Sequence, residues 1–273
     1  MSEFFCVPRW CVLLVVVSVV SHAISSSSLQ ADEDSVFLQS LDGQLITGLP
    51  DAGGSEFVLQ RVFSSQFPST FAWNGPGFHS LSRAPEGVEA IPETADVAFD
   101  FLPMNIDGLT SNLLYWDGVG SASEDVQFGL PPDDGYTLTL FGRNNQPGTV
   151  AATSEMIGGP VLVRTLDGAG LRMHEHRFFF LDDGDEFVDP EEGVYLTAMQ
   201  LRMDGLRATE PFFLFWGTLN TPIAAVESAA RPWIESRVDQ LILDGDYNFD
   251  GGVDTADFDV CTAQQASSGP FPW

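Results

Sequence analysis

Short segments with the composition of β-strands, separated by turn residues, fill the chain between residues 35 and 220. Apolar, β-branched and aromatic residues dominate the segments, and clusters of Gly, Pro, Asn and Asp lie between them. The pattern predicts a mainly β fold, a two-sheet β-sandwich or jelly-roll-like domain of about eight to eleven strands. The predicted strands are Val36–Leu41, Gln44–Thr47, Phe57–Phe63, Val97–Leu102, Asn112–Trp116, Val126–Phe128, Tyr136–Phe141, Val161–Thr165, Arg172–Leu181, Val194–Met203 and Phe212–Trp216.

Two local patterns add detail to the predicted sheets, one indicating a hairpin and the other a central strand. Asp42-Gly43 separates the first two segments and is a typical hairpin sequence, because both residues tolerate the positive φ angles of a two-residue turn. The segment Phe212–Trp216 is apolar throughout and does not alternate with polar residues. We therefore expect it to be a central strand that is covered on both faces.

The N-terminus has the pattern of a secretory signal peptide. Arg9 precedes the apolar run Cys11–Val20, and Ser21-His22-Ala23 supplies small residues for a cleavage site. We expect cleavage after Ala23, leaving a secreted or cell-surface protein with no membrane span, since the run is too short to cross a bilayer. A retained N-terminal anchor is the alternative.

The predicted cleavage determines which cysteines remain in the mature chain. Cys6 and Cys11 leave with residues 1–23, so Cys261 stands alone in the mature chain and cannot form an intramolecular disulfide. The fold must then depend on its apolar core. The 22 Phe residues make such a core credible, because each large side chain that is fully buried stabilises the fold by about 1.5–3 kcal/mol.

Acidic side chains far outnumber basic ones. The chain carries 39 Asp and Glu against 11 basic residues, all of them Arg, for a net charge of −28. A phosphate backbone would be repelled, so nucleic acid is not an expected partner. Such a surface favours divalent cations and cationic partners, and it also keeps an exported protein soluble.

The regions that flank the β segments differ from them in composition. Residues 24–34 are predicted to be a Ser-rich linker, and residues 265–273 a disordered tail. Residues 221–243 are predicted to form a helical connector. Thr221 is a suitable N-cap and Pro222 fits the first helical position, whereas Pro232 is expected to divide the region into two short helices.

The twelve residues Asp246–Asp257 have the spacing of a calcium-binding loop. Side-chain oxygens fall at positions 1, 3, 5, 9 and 12, with Gly251 at position 6 and Val253 at position 8. Calcium takes six to eight oxygen ligands, one of them a backbone carbonyl at position 7. The alternative is an acidic surface turn. The predicted ligands of one Ca²⁺ ion are Asp246, Asn248, Asp250, Gly252, Asp254 and Asp257.

This loop, with Asp257 at position 12 and Asn248 at position 3, resembles the calcium repeat of type I dockerins, the modules that dock secreted proteins onto cohesins. It is also similar to the C-terminal dockerin-like repeat of many secreted planctomycete proteins. The resemblance covers roughly residues 244–264. It implies calcium-dependent docking to a cohesin-like or other extracellular protein, and an association with polysaccharide degradation. Dockerins have two repeats, whereas this chain has one, and they use hydroxyl-bearing residues at positions 10 and 11 for cohesin recognition, where this chain has Thr255 and Ala256.

A second candidate metal site is His174-Glu175-His176. On a strand, both imidazoles lie on one face, here together with Phe178 and Phe180. A metal enzyme would need a third ligand, a Glu or His79, in an open pocket. The neighbouring aromatic residues favour the alternative, in which the histidines are packed or hydrogen-bonded.

Other catalytic signatures are weak. The sequence has no nucleophile elbow, phosphate-binding loop or dinucleotide fingerprint, and the many acids of residues 182–192 are interpreted as solvated turn residues. Trp73, Tyr115, Trp116 and Trp216 could stack on sugar rings if exposed, but the core is their favoured location. The sequence therefore predicts a secreted, noncatalytic structural or adhesive protein with a calcium-dependent docking loop. The alternative is a carbohydrate-binding or polysaccharide-degrading protein.

Overall fold

β-Strands dominate the computed structural model, which describes residues 35–185, 188–222, 225–242 and 255. The predicted mainly β fold is confirmed, with seventeen strands in the described ranges rather than the eight to eleven expected. In chain order they are β1 (Val36–Leu41), β2 (Gln44–Pro50), β3 (Phe57–Leu59), β4 (Val62–Gln66), β5 (Ala72–Trp73), β6 (Phe78–Leu81), β7 (Asp96–Leu102), β8 (Met104–Ile106), β9 (Leu109–Ser111), β10 (Leu114–Trp116), β11 (Thr137–Phe141), β12 (Pro147–Ala151), β13 (Ile157–Arg164), β14 (Leu171–Glu175), β15 (Phe179–Asp182), β16 (Val194–Met203) and β17 (Phe212–Gly217).

These strands form several sheets. A five-stranded sheet has the order β14-β6-β1-β2-β3, and a four-stranded sheet has the order β12-β11-β15-β5. The six-stranded sheet runs β13-β7-β16-β17-β4, with β10 also paired to β16. Strands β8 and β9 form a separate hairpin. Most pairings are antiparallel, but β1 pairs with β6 and β17 pairs with β4 in parallel.

Two predicted features of the sheets are confirmed. Strands β1 and β2 form a hairpin whose turn, Asp42-Gly43, has positive φ at both residues. Strand β17 lies between β16 and β4, and all six of its residues are buried. A strand covered on both faces has no solvent side that would select polar residues, so its sequence does not alternate.

The core lies on both faces of the six-stranded sheet. On one face Phe99, Tyr195 and Trp216 join a cluster that extends to the five-stranded and four-stranded sheets. On the other face Phe213 and Phe215 pack with residues of the helical segment. The central strands are therefore held by apolar contacts from two sides.

The helical segment is shorter than predicted. It consists of a π-helical part, Ala225–Ala230, followed by helix α1, Arg231–Glu235, and then turns. The π-helical part gives way to α1 at Arg231, next to Pro232, which occupies the first turn of α1, where proline is tolerated. No helix in the described ranges combines the length and apolarity needed to span a bilayer.

Three other strand predictions need correction. Residues 57–63 form parts of β3 and β4, which belong to different sheets. Val126–Phe128 is not a strand, although Val126 and Phe128 are buried. The prediction of one strand over Arg172–Leu181 is wrong as well, because the chain leaves the five-stranded sheet after β14 and enters the four-stranded sheet at β15.

Candidate metal centre

Three histidines meet at one edge of the five-stranded sheet. His79 lies on β6, His174 lies directly opposite it on β14, and His176 follows β14. One ring nitrogen from each histidine can be chosen so that all three lie within 4.8 Å of one another. The ring centroids are 4.5 Å apart for His79 and His174, 5.4 Å for His79 and His176, and 5.0 Å for His174 and His176.

His79 is the buried member of this three-histidine cluster. Its strand lies between β14 and β1, and its ring stacks on Phe37 of β1 with 5.1 Å between centroids. Only 6% of the residue is exposed, and neither ring nitrogen has a hydrogen-bond partner. A neutral imidazole has one donor and one acceptor nitrogen, so leaving both unpaired in the interior costs free energy.

The protonation state of His79 suits metal binding. Burial, together with the charges of His174 and His176 when they are protonated, lowers the pKa of His79 to about 4. The ring is therefore neutral at neutral pH and offers a lone pair. A metal ion requires this form, since a protonated imidazole has no free lone pair to donate.

The segment that precedes β6 fits closely around the histidine rings. A Cβ atom on Gly77 would lie 2.7 Å from Cε1 of His176 and 2.8 Å from Nε2 of His79. The carbonyl oxygen of Asn74 lies 3.3 Å from Nδ1 of His176. An Nδ1–H that donates to this carbonyl leaves Nε2 of His176 free as a ligand, which is the usual arrangement around a metal-bound histidine.

The cluster is open on one side. His79 is buried, His176 is half-buried and His174 is exposed, so an ion can enter from the side of His174. Within the described ranges the group that could hold a metal consists of these three histidines, with no carboxylate or thiol. Glu175, the residue between His174 and His176, instead forms an ion pair with Arg177 at 2.9 Å.

The ligand atoms decide which ions fit. Imidazole nitrogens suit Zn²⁺, Cu²⁺, Ni²⁺ and iron, whereas Ca²⁺ and Mg²⁺ require oxygen ligands. Tetrahedral zinc with Zn–N distances of about 2.0–2.1 Å holds its ligand nitrogens about 3.3 Å apart. The nitrogens of the three-histidine cluster, within 4.8 Å, must therefore approach by about 1.5 Å at most. His174 is exposed, so its side chain has room to rotate toward the other two rings.

The chain matches no protein-family model, no curated protein and no solved structure. The function must therefore be argued from the site itself.

The predicted calcium loop lies almost entirely outside the described residues, of which only Thr255 belongs to it. All six predicted ligands fall outside the described ranges, namely Asp246, Asn248, Asp250, Gly252, Asp254 and Asp257.

The other candidate residues do not form one site. Trp216 and Trp116 are buried, Tyr115 is half-buried, and Trp73 is 39% exposed. The predicted core location is thus confirmed for the first two and is wrong for Trp73.

The acids of residues 182–192 include several that organise turns. The carboxylate of Asp182 accepts from the Gly184 amide and that of Asp183 from the Asp185 amide, while Glu192 accepts from Asn220 and from the Thr218 hydroxyl. Burial by itself raises the pKa of Glu192, but the hydrogen bonds from Thr218 and Asn220 together outweigh it and lower the pKa below its usual value. A low pKa keeps Glu192 ionised, so it does not suit the role of a general acid.

Proposed function

We propose that this protein binds one transition-metal ion of the Zn²⁺ or Cu²⁺ class at the three-histidine cluster. One observation carries the proposal: His79 is buried with both ring nitrogens unpaired, and it faces the rings of His174 and His176. A metal bond to one of these nitrogens replaces the missing interaction. The coordination of the ion then offsets the cost of burying the ring.

The alternative is that the histidines are merely packed in the fold. A packed histidine normally pairs its ring nitrogens with backbone, side-chain or water partners, because buried polar atoms are nearly always hydrogen-bonded. The clustering of the histidines also argues against simple packing, since three of the chain's four histidines lie together at one edge of a sheet. The Asn74 carbonyl beside His176 supports the same conclusion.

Titration of the purified, metal-free protein with Zn²⁺ tests this proposal. We expect one saturable site, with affinity lowered about a hundredfold or more in His174→Ala and His176→Ala, because each removes a direct ligand. Competition against a chromophoric zinc chelator measures the affinity.

Glu175→Gln is the matched control for these variants, since it lies between the two histidines but forms an ion pair with Arg177. It should bind zinc as the unchanged protein does. Equal affinities in the unchanged protein and in both histidine variants would overturn the proposal.

A second proposed role concerns the C-terminal part of the chain. We propose that the sheets form a β-sandwich in a secreted, noncatalytic structural or adhesive protein, and that residues 244–264 form an EF-hand-like, dockerin-like repeat. The ligand spacing of Asp246–Asp257 supports calcium binding there. In this role the Ca²⁺-loaded loop docks onto a cohesin-like or other extracellular protein, with a polysaccharide as the alternative ligand.

Calorimetric titration of the mature protein with Ca²⁺ tests the second role. One saturable site is expected, and it should be lost in Asp246→Ala and in Asp257→Ala, because each removes a carboxylate ligand. Asp204→Ala is the control, since it removes an equal charge from the exposed Asp204-Gly205 turn. If binding persists in both loop variants, the loop is an ordinary acidic turn.

A further inference from the structure

The three-histidine cluster supplies fewer ligands than a closed zinc site needs. Structural zinc sites are four-coordinate with protein ligands only, whereas catalytic sites have three protein ligands and one position for water or substrate. Within the described ranges, no carboxylate, thiol or further imidazole lies beside His79, His174 and His176 as a fourth ligand.

The buried side of the cluster is closed. Phe37 stacks on the ring of His79, and Gly77 leaves no space for even one further carbon atom beside His79 and His176. Because His79 binds the ion from the interior, the ion lies toward the exposed His174. The unfilled position therefore faces solvent.

The charge at this position favours an anion. Three neutral imidazoles leave the charge of a divalent ion uncompensated, and Glu175, the acid nearest in sequence, is paired with Arg177. Hydroxide and carboxylates are compact anions with oxygen donors that Zn²⁺ accepts at about 2.0–2.2 Å.

We infer that the ion bound by His79, His174 and His176 keeps one exchangeable coordination position, open to solvent, which binds water, hydroxide or the carboxylate of a small molecule. This inference rests on the proposed metal binding. Such a site binds an external ligand at the metal, whereas a closed four-ligand site only stabilises the fold.

A carboxylate from outside the described residues would compete for this position. Asp32, Glu33 and Asp34 lie outside the described ranges and come directly before β1 in the sequence, and β1 pairs with the strand that carries His79. If one of these carboxylates filled the fourth position, the site would be closed and would exclude external anions.

Cobalt substitution separates these arrangements, because the visible absorption of Co²⁺ changes when a ligand is exchanged. The mature protein is loaded with Co²⁺, titrated with azide, and then titrated with acetate in competition. We expect azide to cause a saturable shift of the cobalt bands and acetate to reverse it. The same response is expected in the Asp32→Ala, Glu33→Ala, Asp34→Ala triple variant.

Two results would overturn the inference while leaving metal binding intact. In the first, Co²⁺ binds but azide does not change its spectrum. In the second, azide acts only on the triple variant, which would show that the chain's own carboxylate fills the position. A failure of Co²⁺ to bind at all would overturn the inference and the proposed function together.

Discussion

Replacement of Trp216 by alanine is expected to lower the free energy of unfolding by about 4 kcal/mol, because it removes a fully buried indole and leaves a cavity. Trp216 has no exposed surface, and its ring packs on Phe67 and Phe179 with centroid distances of 5.5 Å and 4.7 Å. Its Nε1–H also donates to the Gly75 carbonyl at 3.0 Å. Urea unfolding followed by far-ultraviolet circular dichroism measures the loss.

Trp73→Ala is the matched control for this prediction. Trp73 is 39% exposed, and its Nε1–H donates to the Ser65 hydroxyl at 2.9 Å. Both variants remove an indole and one hydrogen bond, so their difference isolates the contribution of burial, and Trp73→Ala should cost much less. Equal losses in the two variants would contradict this prediction, because burial of the indole would then add nothing measurable to the free energy of unfolding.

The interactions of Trp216 also extend to the candidate metal centre. The Gly75 carbonyl, which accepts the hydrogen bond from Trp216, belongs to the short segment before β6. This segment also includes Asn74 and Gly77. Asn74 accepts from His176, and Gly77 lies between the rings of His176 and His79. The core therefore fixes the backbone on which the three-histidine cluster depends.

The features that could be predicted from the sequence are those that a few consecutive residues specify by themselves. The hairpin at Asp42-Gly43 follows from the φ angles that these two residues tolerate, and the central position of β17 follows from its uniform apolarity. Both signals lie within a few consecutive residues. The prediction needs no knowledge of which strands become neighbours.

The break within Arg172–Leu181 could not be predicted in the same way. Alternation of side chains indicates which residues share a face, but it does not indicate when a chain passes from one sheet to another. Phe179 is buried and Phe180 is exposed, so the alternation continues in β15 after the chain has changed sheets. His174 and Phe180 nevertheless belong to different sheets, so the predicted common face was wrong.

The candidate metal centre could be predicted from the sequence only in part. The His174-Glu175-His176 pattern gives two of the proposed ligands, because residues i and i+2 of a strand share a face. His79 was considered as a third ligand, but its strand β6 was not predicted, since it has only four residues and follows Gly-Pro-Gly. The pairing of β6 with β14 joins residues that are distant in the chain, and no local pattern specifies it.

Replacement of Gly77 by alanine is expected to weaken metal binding by about a hundredfold while the protein stays folded. The new methyl group would lie 2.7 Å from Cε1 of His176 and 2.8 Å from Nε2 of His79, so the two rings must move apart. Changes next to metal ligands typically cost 10–100-fold in affinity, and here both neighbouring side chains are proposed ligands. Zinc competition titration measures the change, and circular dichroism shows whether the fold persists.

The fold is expected to survive because the methyl group meets the outer atoms of side chains, and His176 is half-buried and can rotate away. Overpacking of this kind costs about 1–3 kcal/mol. Gly129→Ala is the matched control, since a Cβ atom there meets nothing within 4 Å. If Gly77→Ala bound zinc as tightly as Gly129→Ala, the ion would not lie between His79 and His176, and the three histidines would be neighbours without a shared ligand.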